Sequence, residues 1–427
     1  MKKTRYVQVG LGARARLFHA AIVQKYSDTS EITAVCDINA VRLQMTQNRI
    51  RKLAGYDVNL YGADEFDKMI EVEKPDCVIV TSIDRTHHKY IIRALELGCD
   101  VITEKPMTVD ADKCQQIIDA VKRTGKNVRV AFNYRYAPYH SKVRELMMQN
   151  VIGDVKQIHF EWLLNTSHGA DYFRRWHRDK RNSGGLLVHK STHHFDLVNF
   201  WLHTRPKQVF AYGDLMFYGR ENAENRGMTK FYYRTYGAEN AKGDPFALDL
   251  TDNKFMTNFY LNAEQEDGYL RDQSVFGDGI SIEDTMNVLV KYENGAQMSY
   301  SLNAYSPKEG FRVVFTGTNG RLEMEVSEAV YINGGGAAEM EGAAETYSIK
   351  VYPLFGTPYD VECEEVSGGH GGGDDVLLDD LFGTPEEDPL HRAAGYEDGA
   401  MSILIGIAAN KSIATGMPVN IKELVQL

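Results

Sequence analysis

Cysteine is scarce in this 427-residue chain: Cys36, Cys77, Cys99, Cys114 and Cys363 are odd in number and show no CxxC spacing. That argues against a disulfide framework, and four of the five sit inside apolar patterns, as reduced buried thiols of a cytoplasmic protein do. Long hydrophobic runs are also missing, since no window approaches the roughly 18 uninterrupted apolar residues of a membrane-spanning helix. Lys2 and Lys3 open the chain with positive charge, but Gln8, Gly10 and Gly12 interrupt the adjoining apolar stretch and Arg14 and Arg16 close it, so no signal peptide is expected. Positive charge is in deficit, with 48 Lys+Arg against 59 Asp+Glu and a net charge of −11. The basic residues are scattered singly or in short pairs, which argues against nucleic acid and against a membrane surface. The remainder, 43% apolar and 25% charged residues, is ordinary globular composition at a length that accommodates two to three domains.

From Arg5 to Val130 short β-rich runs alternate with helical periodicity, the pattern of a parallel sheet with crossover helices. Past Phe132 the strands lengthen, aromatic residues become frequent and hairpin signals appear, among them Glu293-Asn294-Gly295 and Gly317-Thr318-Asn319-Gly320. The expected architecture is α/β: a doubly wound Rossmann domain over residues 1–131, then an α+β domain over 132–427 with an open, mainly antiparallel sheet. Arg220 to Asp278 is polar, tyrosine-rich and poorly periodic, a long excursion over the surface or into the cleft. A final helix is expected from Tyr396 to Thr415. The glycine runs Asn333–Gly336 and Ser367–Asp374 read as loops, and the second, which carries His370 and leads into a helix over Val376–Phe382, offers backbone amides to a ligand.

Gly10, Gly12 and Ala15 fill G-x-G-x-x-A between a strand and a helix, with Ala13 and Arg14 in the turn. The first glycine permits the turn, the second lets the backbone approach a pyrophosphate, and the helix N-terminus supplies unpaired amides. Asp37 ends the second strand, where a carboxylate accepts from ribose hydroxyls. This favours NAD over NADP, although Arg42 softens the repulsion a 2'-phosphate would meet.

Strand Val101–Thr103 ends in Glu104-Lys105-Pro106, where a lysine can favour the alkoxide that develops as hydride leaves carbon. In Ser183–Asp196, read as one helix, His189, His193 and Asp196 share a face. Acid–base chemistry, a metal site on those three residues and satisfied structural histidines remain alternatives at this point. Arg175-Trp176-His177-Arg178 reads as a clasp for a polar or anionic sugar substituent or as a solvated loop, and Tyr134 and Arg135 are expected to face the cleft.

These segments resemble the glucose-fructose oxidoreductase and inositol dehydrogenase family (Gfo/Idh/MocA). The resemblance rests on Val9–Gly12, Thr81–His87, Glu104–Pro106, Asn133–Tyr136, Gly153–Val155 and the Gly184–Asp196 cluster, and covers nearly the whole chain. It implies NAD in the Rossmann domain, with Ser82, His87 and Glu104 among the cofactor contacts, and a sugar or cyclitol between the domains. It also implies Lys105 at the reacting hydroxyl, His193 as acid–base, and a homo-oligomer, dimer or tetramer, joined through the C-terminal sheet. Members commonly carry Asp-x-Gly-x-His, whereas here His189 stands at the aspartate and Ser191 at the glycine. The expected function is therefore NAD-dependent oxidation of a ring hydroxyl of a sugar, sugar derivative or cyclitol. The alternative is a redox-neutral glycosidase with tightly bound NAD, which needs more acid–base groups; His189, Lys190, His193, His194, Tyr134 and His370 are candidates. Arg135, Arg175, Trp176, Lys190, His194 and His370 are the expected substrate contacts, and no metal is expected. A scaffold that binds NAD without turnover is disfavoured by Lys105 and His193.

Overall fold

The computed structural model describes residues 2–332, 342–364, 368–384 and 387–426. The Asn333–Gly336 run and Ser367 lie outside them. Six parallel strands form the first sheet: β1 (Thr4–Val9), β2 (Ser30–Asp37), β3 (Asn59–Gly62), β4 (Cys77–Val80), β5 (Asp100–Thr103) and β6 (Val128–Val130), in the order β3-β2-β1-β4-β5-β6. Helices cover both faces, so the central strands are buried on both sides; Val7, Val9, Val78, Ile79 and Val80 are each at most 1% exposed. The strand order reverses between β1 and β4, and that switch point opens the crevice in which such sheets bind ligands.

The second sheet has nine strands: β7 (Val155–Asn165), β8 (Pro206–Asp214), β9 (Thr285–Tyr292), β10 (Gln297–Ser306), β11 (Gly310–Gly317), β12 (Gly320–Glu328), β13 (Ala344–Pro353), β14 (Tyr359–Asp360) and β15 (Val419–Asn420). Its order is β14-β13-β12-β11-β7-β10-β9-β8-β15, with β7 and β10 parallel and the other neighbours antiparallel. The Asn294-Gly295 turn joins β9 to β10, with Gly295 at φ +87°. Alternating burial along β9 and β10 shows one face on the core and one in solvent.

Helix Tyr396–Thr415 spans the expected residues and belongs to both units. A Cβ on Gly406 would lie 2.1 Å from the Leu187 carbonyl oxygen, and one on Gly399 2.8 Å from Val130 Cγ2, so both glycines permit close helix contact. The tyrosine-rich excursion is ordered into short helices over Arg220–Asn225, Lys254–Phe259 and Glu264–Asp267. It returns to the first sheet, where Asn39 Nδ2 donates to the Ala263 carbonyl at 3.0 Å. The glycine-rich run around His370 enters its helix at Gly373, earlier than expected. All five cysteines are free; four are buried and Cys363 is half-buried.

Ser183–Asp196 is not one helix. Gly184 and Gly185 take left-handed φ values of +73° and +79°, so a short helix begins at Leu186 and ends at His189, and a second runs from Ser191 to Leu202. Arg135 is also placed differently from expectation: it lies in the interior, with Nε and Nη2 on the Asp196 oxygens at 2.7 and 2.6 Å and Nη2 on Asp398 at 2.9 Å. This bidentate pair ties the exit of β6 to helices Ser191–Leu202 and Tyr396–Thr415. Removing one side of a buried ion pair strands the other charge, so Arg135→Leu is expected to lower stability by about 3–5 kcal/mol, measured by chemical denaturation. A loss under about 1 kcal/mol would show that Asp196 finds another partner.

Candidate functional site

A cleft of about 870 Å³ runs along the carboxyl ends of the first sheet's strands. Gly10, Gly12, Ala13, Arg14, Asp37, Arg42, Ser82, His87, Glu104 and Lys105 all line it. Gly10 sits at φ +84°, and a Cβ there would fall 2.3 Å from the Ser82 backbone, so the turn accepts only glycine. A Cβ on Gly12 would meet nothing within 4 Å, so the backbone is open to the cleft there. Asp37 accepts from Leu11 N at 2.5 Å and from Asn39 N at 2.8 Å, and burial raises its pKa. One carboxylate thus pins the glycine turn to the end of β2. His87 sits between the carbonyls of Pro106 and Ser82, each 2.9 Å from a ring nitrogen, where the segments after β5 and β4 meet. An open glycine backbone, a helix N-terminus and a carboxylate in one crevice fit a dinucleotide.

Two arginines connect this turn to the second half of the chain. Arg14 holds Glu104 at 2.8 Å and Asp374 at 2.6 Å. Asp374 also accepts from Asn133 at 2.7 Å and pairs with His370 Nδ1 at 3.0 Å, bringing His370 to the cleft wall. Burial works to raise the Asp374 pKa, but the charges of Arg14 and His370 hold it well below the ordinary carboxylate range. Arg42 is paired with Asp267 of the excursion at 2.5 Å, and its guanidinium lies 5.6 and 5.9 Å from the Phe259 and Tyr269 rings. Arg42, expected to soften the site toward a 2'-phosphate, thus meets a carboxylate of the excursion at the cleft wall.

At the other end lie Lys105, Asp84, Arg175, Trp176, His177 and His189. His189 Nδ1 and Asp84 Oδ2 share a hydrogen bond at 2.5 Å, and Nε2 makes none among the described residues. Burial, reinforced by the charges of Lys105 and Arg175, holds the His189 pKa well below the ordinary histidine value. A neutral imidazole that donates through Nδ1 carries its lone pair on Nε2, the arrangement of a proton acceptor. The aspartate missing from the Asp-x-Gly-x-His pattern is thus matched by a carboxylate from another element. Asp84 stands within the Thr81–His87 segment, so the residue was visible in the sequence, but its pairing with His189 was not.

Several expected site residues do not line the cleft. His193 is 2% exposed, lies 4.7 Å edge-on from the Tyr134 ring, and has no hydrogen bond at either nitrogen among the described residues. His194 stacks on Trp162 at 3.6 Å and bonds Tyr300 at 2.6 Å, which places it in the core. Lys190 is buried 5.1 Å from the Trp162 ring, and Tyr134 donates to Glu328 at 2.9 Å. Substrate contact by Arg135, His194 and Lys190, and a cleft-facing Tyr134, are therefore corrected. Asp196 is committed to Arg135, which breaks up the His189, His193, Asp196 ligand set. Sequence reasoning also missed a buried acid group behind the wall: Glu309 pairs with His168 at 2.6 Å, and burial raises both Glu309 and Glu328 to about 7.

The NAD-binding Rossmann fold of the oxidoreductase family Gfo/Idh/MocA matches residues 4–132, and that family's C-terminal alpha/beta domain matches residues 144–421. The chain is 37% identical to the protein named "Putative oxidoreductase YteT" of Bacillus subtilis (strain 168), over 98% of each. It is 31% identical to D-glucoside 3-dehydrogenase of Escherichia coli (strain K12), over 34% of this chain and 40% of that protein. The WlbA dehydrogenase of Bordetella pertussis, solved with NADH and UDP-GlcNAcA, shares the fold with a TM-score of 0.63 at 16% identity, over 98% of this chain and 99% of that one. With a parallel six-stranded sheet ending in a dinucleotide crevice and a mixed, mostly antiparallel second sheet, the chain belongs to the Gfo/Idh/MocA family of oxidoreductases, with an NAD-binding Rossmann fold.

Proposed function

We propose that the protein oxidises a ring hydroxyl of a sugar, sugar derivative or cyclitol with NAD. The observation that carries this reading is the His189–Asp84 pair in the same cleft wall as Lys105, at the end where the segments after β4 and β5 deliver Asp84 and Lys105. Gly10, Gly12 and Asp37 hold the dinucleotide, which supplies the acceptor for the hydride. His189 Nε2 takes the hydroxyl proton while Lys105 favours the developing alkoxide, and Asp84 stabilises the imidazolium that forms. Burial makes that imidazolium costly without Asp84, and so couples the acid–base step to a carboxylate from the Rossmann half. His189, rather than His193, takes the acid–base role in this scheme because it faces the cleft.

NAD is preferred to NADP because Asp37 and Asp267 place two carboxylates at the adenosine end while Arg42 is already neutralised. The likeness to D-glucoside 3-dehydrogenase supports a carbohydrate substrate. A second reading, the redox-neutral glycosidase with retained NAD, is favoured by one observation. Residues 250–270 latch onto Asn39 and Arg42, so the excursion closes the adenosine end and slows cofactor loss. NAD(H) released in stoichiometric amount on denaturation, with aryl glycoside cleavage and no accumulating NADH, would select that reading. For self-association we propose the outer face of the second sheet, where Leu289 is 57% and Tyr212 69% exposed.

Lys105→Ala is expected to lower kcat by roughly 10²–10³-fold, as loss of a preorganised charge does, while NADH affinity measured by fluorescence is unchanged. His189→Ala is expected to cost roughly 10²-fold or more and His193→Ala less than about 10-fold, and the reverse order would move the acid–base to His193. Because the His189 pKa is lowered, the base stays unprotonated as pH falls through 6.5, so the acid limb of kcat/KM lies below that value. An inflection near or above about 6.5 would contradict this assignment. Wild-type protein is expected to bind NADH roughly 10²-fold more tightly than NADPH, and Asp267→Ala, which frees Arg42, is expected to shrink that gap about 10-fold in a fluorescence titration.

A further inference from the structure

Asp171 is completely buried and is surrounded by three buried arginines: Arg271 at 2.7 Å, Arg175 at 3.1 Å and Arg174 at 3.4 Å. A buried carboxylate gathering several guanidiniums fixes each of them in place. The three arginines are not equivalent. Arg174 is held by the Phe246 carbonyl at 2.8 Å, and Arg271 takes the opposite side of Asp171, 5.5 Å from the Tyr260 ring. Arg175 touches Asp171 only through Nε, on its carboxylate and on its carbonyl at 3.3 Å. Neither terminal amino group of Arg175 makes a hydrogen bond among the described residues, although the side chain lines the cleft. Nε anchorage to a fixed, buried acid leaves the two amino groups as a planar fork directed away from Asp171.

The fork lies beside the reacting end. The charges of Lys105 and Arg175 both reach the Asp84 carboxyl, and His189 feels those two together with Lys190. Trp176 follows in the same wall, its indole backed by His177 at a ring distance of 3.5 Å, so one apolar face stands next to the fork. A flat aromatic surface beside a charged fork suits a pyranose ring that bears a carboxylate.

We propose that Arg175 is a carboxylate-binding residue and that the substrate is a hexuronate, free or as a uronoside, held by its carboxylate on the Arg175 amino groups. This rests on the reading of the cleft as a sugar site. Two parallel N–H donors match a planar carboxylate, and Asp171 fixes the guanidinium that presents them.

The test is titration calorimetry on the NAD-loaded protein with the pairs D-galacturonate and D-galactose, and D-glucuronate and D-glucose, with glucose 6-phosphate as a third arm. NADH formation and aryl uronoside cleavage are followed in parallel. The expected result is that a uronate binds at least about 10-fold more tightly than its hexose. Arg175→Met abolishes that preference, and Arg175→Lys, which keeps the charge beside Asp171 but has no fork, loses most of it, while NADH affinity is unchanged in both. Arg175→Lys decides the question if Arg175→Met does not fold. Equal or better binding of the hexoses, a uronate preference that survives both variants, or tighter binding of the 6-phosphate than of either uronate would overturn the proposal. Turnover of neutral sugars without a uronate preference overturns it and leaves the oxidoreductase reading standing. Uronate binding through Arg175 without turnover of any sugar or uronoside overturns that reading and leaves the carboxylate site standing.

Discussion

A guanidinium placed in the interior must be met by carboxylates, and Arg135 with Asp196 and Asp398 satisfies that requirement at the junction of the two sheets. The pair constrains everything built around it. Arg135 leaves the end of β6, Asp196 lies one helical turn beyond His193, and Asp398 begins the long last helix, so their association sets the second half of the chain against the carboxyl edge of the first sheet. In that setting His189 reaches Asp84. The His189–Asp84 pair thus joins the two halves, one partner from each, beside an ion pair that touches neither.

The cleft and the core behind it combine groups whose charge is suppressed with a few whose charge is retained. Burial pulls the pKa values of His177, His189, His193 and His194 well below the ordinary value, and Lys105 adds to each shift. The histidines are therefore neutral and need no counterions, which lets several pack together in a small volume. Lys105 and Arg175 carry the positive charge. Asp84 answers the first of these electrostatically, while Asp171 holds the second from behind.

The regular architecture was legible in the sequence because it is locally encoded. The glycine turn, the aspartate at the end of β2, the Asn294-Gly295 hairpin and the last helix each depend on neighbours a few residues away. The departures are long-range. His189, His193 and Asp196 have helical spacing whether or not the helix is interrupted at Lys190, and the two left-handed glycines set only where the first short helix begins. Arg135 after a sheet strand reads as a cleft residue until Asp196, 61 residues on, and Asp398, 263 residues on, are placed beside it. His194 reads as chemistry in a histidine-rich run, and only the Trp162 face above it shows packing. Asp84 and His189, 105 residues apart, show the same limit at the site. Each residue type was visible, and the partner that decides its role was not.

Arg14 stands in the turn that receives the dinucleotide and grips Asp374, which in turn holds His370 and Asn133. The cofactor pocket and the His370 segment consequently share one guanidinium, and thermodynamic reciprocity applies to them. Any free energy by which an occupied pocket steadies Arg14 is returned as firmer attachment of the His370 segment, and a ligand settling on that segment tightens the hold on the cofactor by the same amount. Two ligands entering this cleft are then not independent guests: the order in which they arrive changes the path but not the total, and each alters the affinity of the other by the same factor.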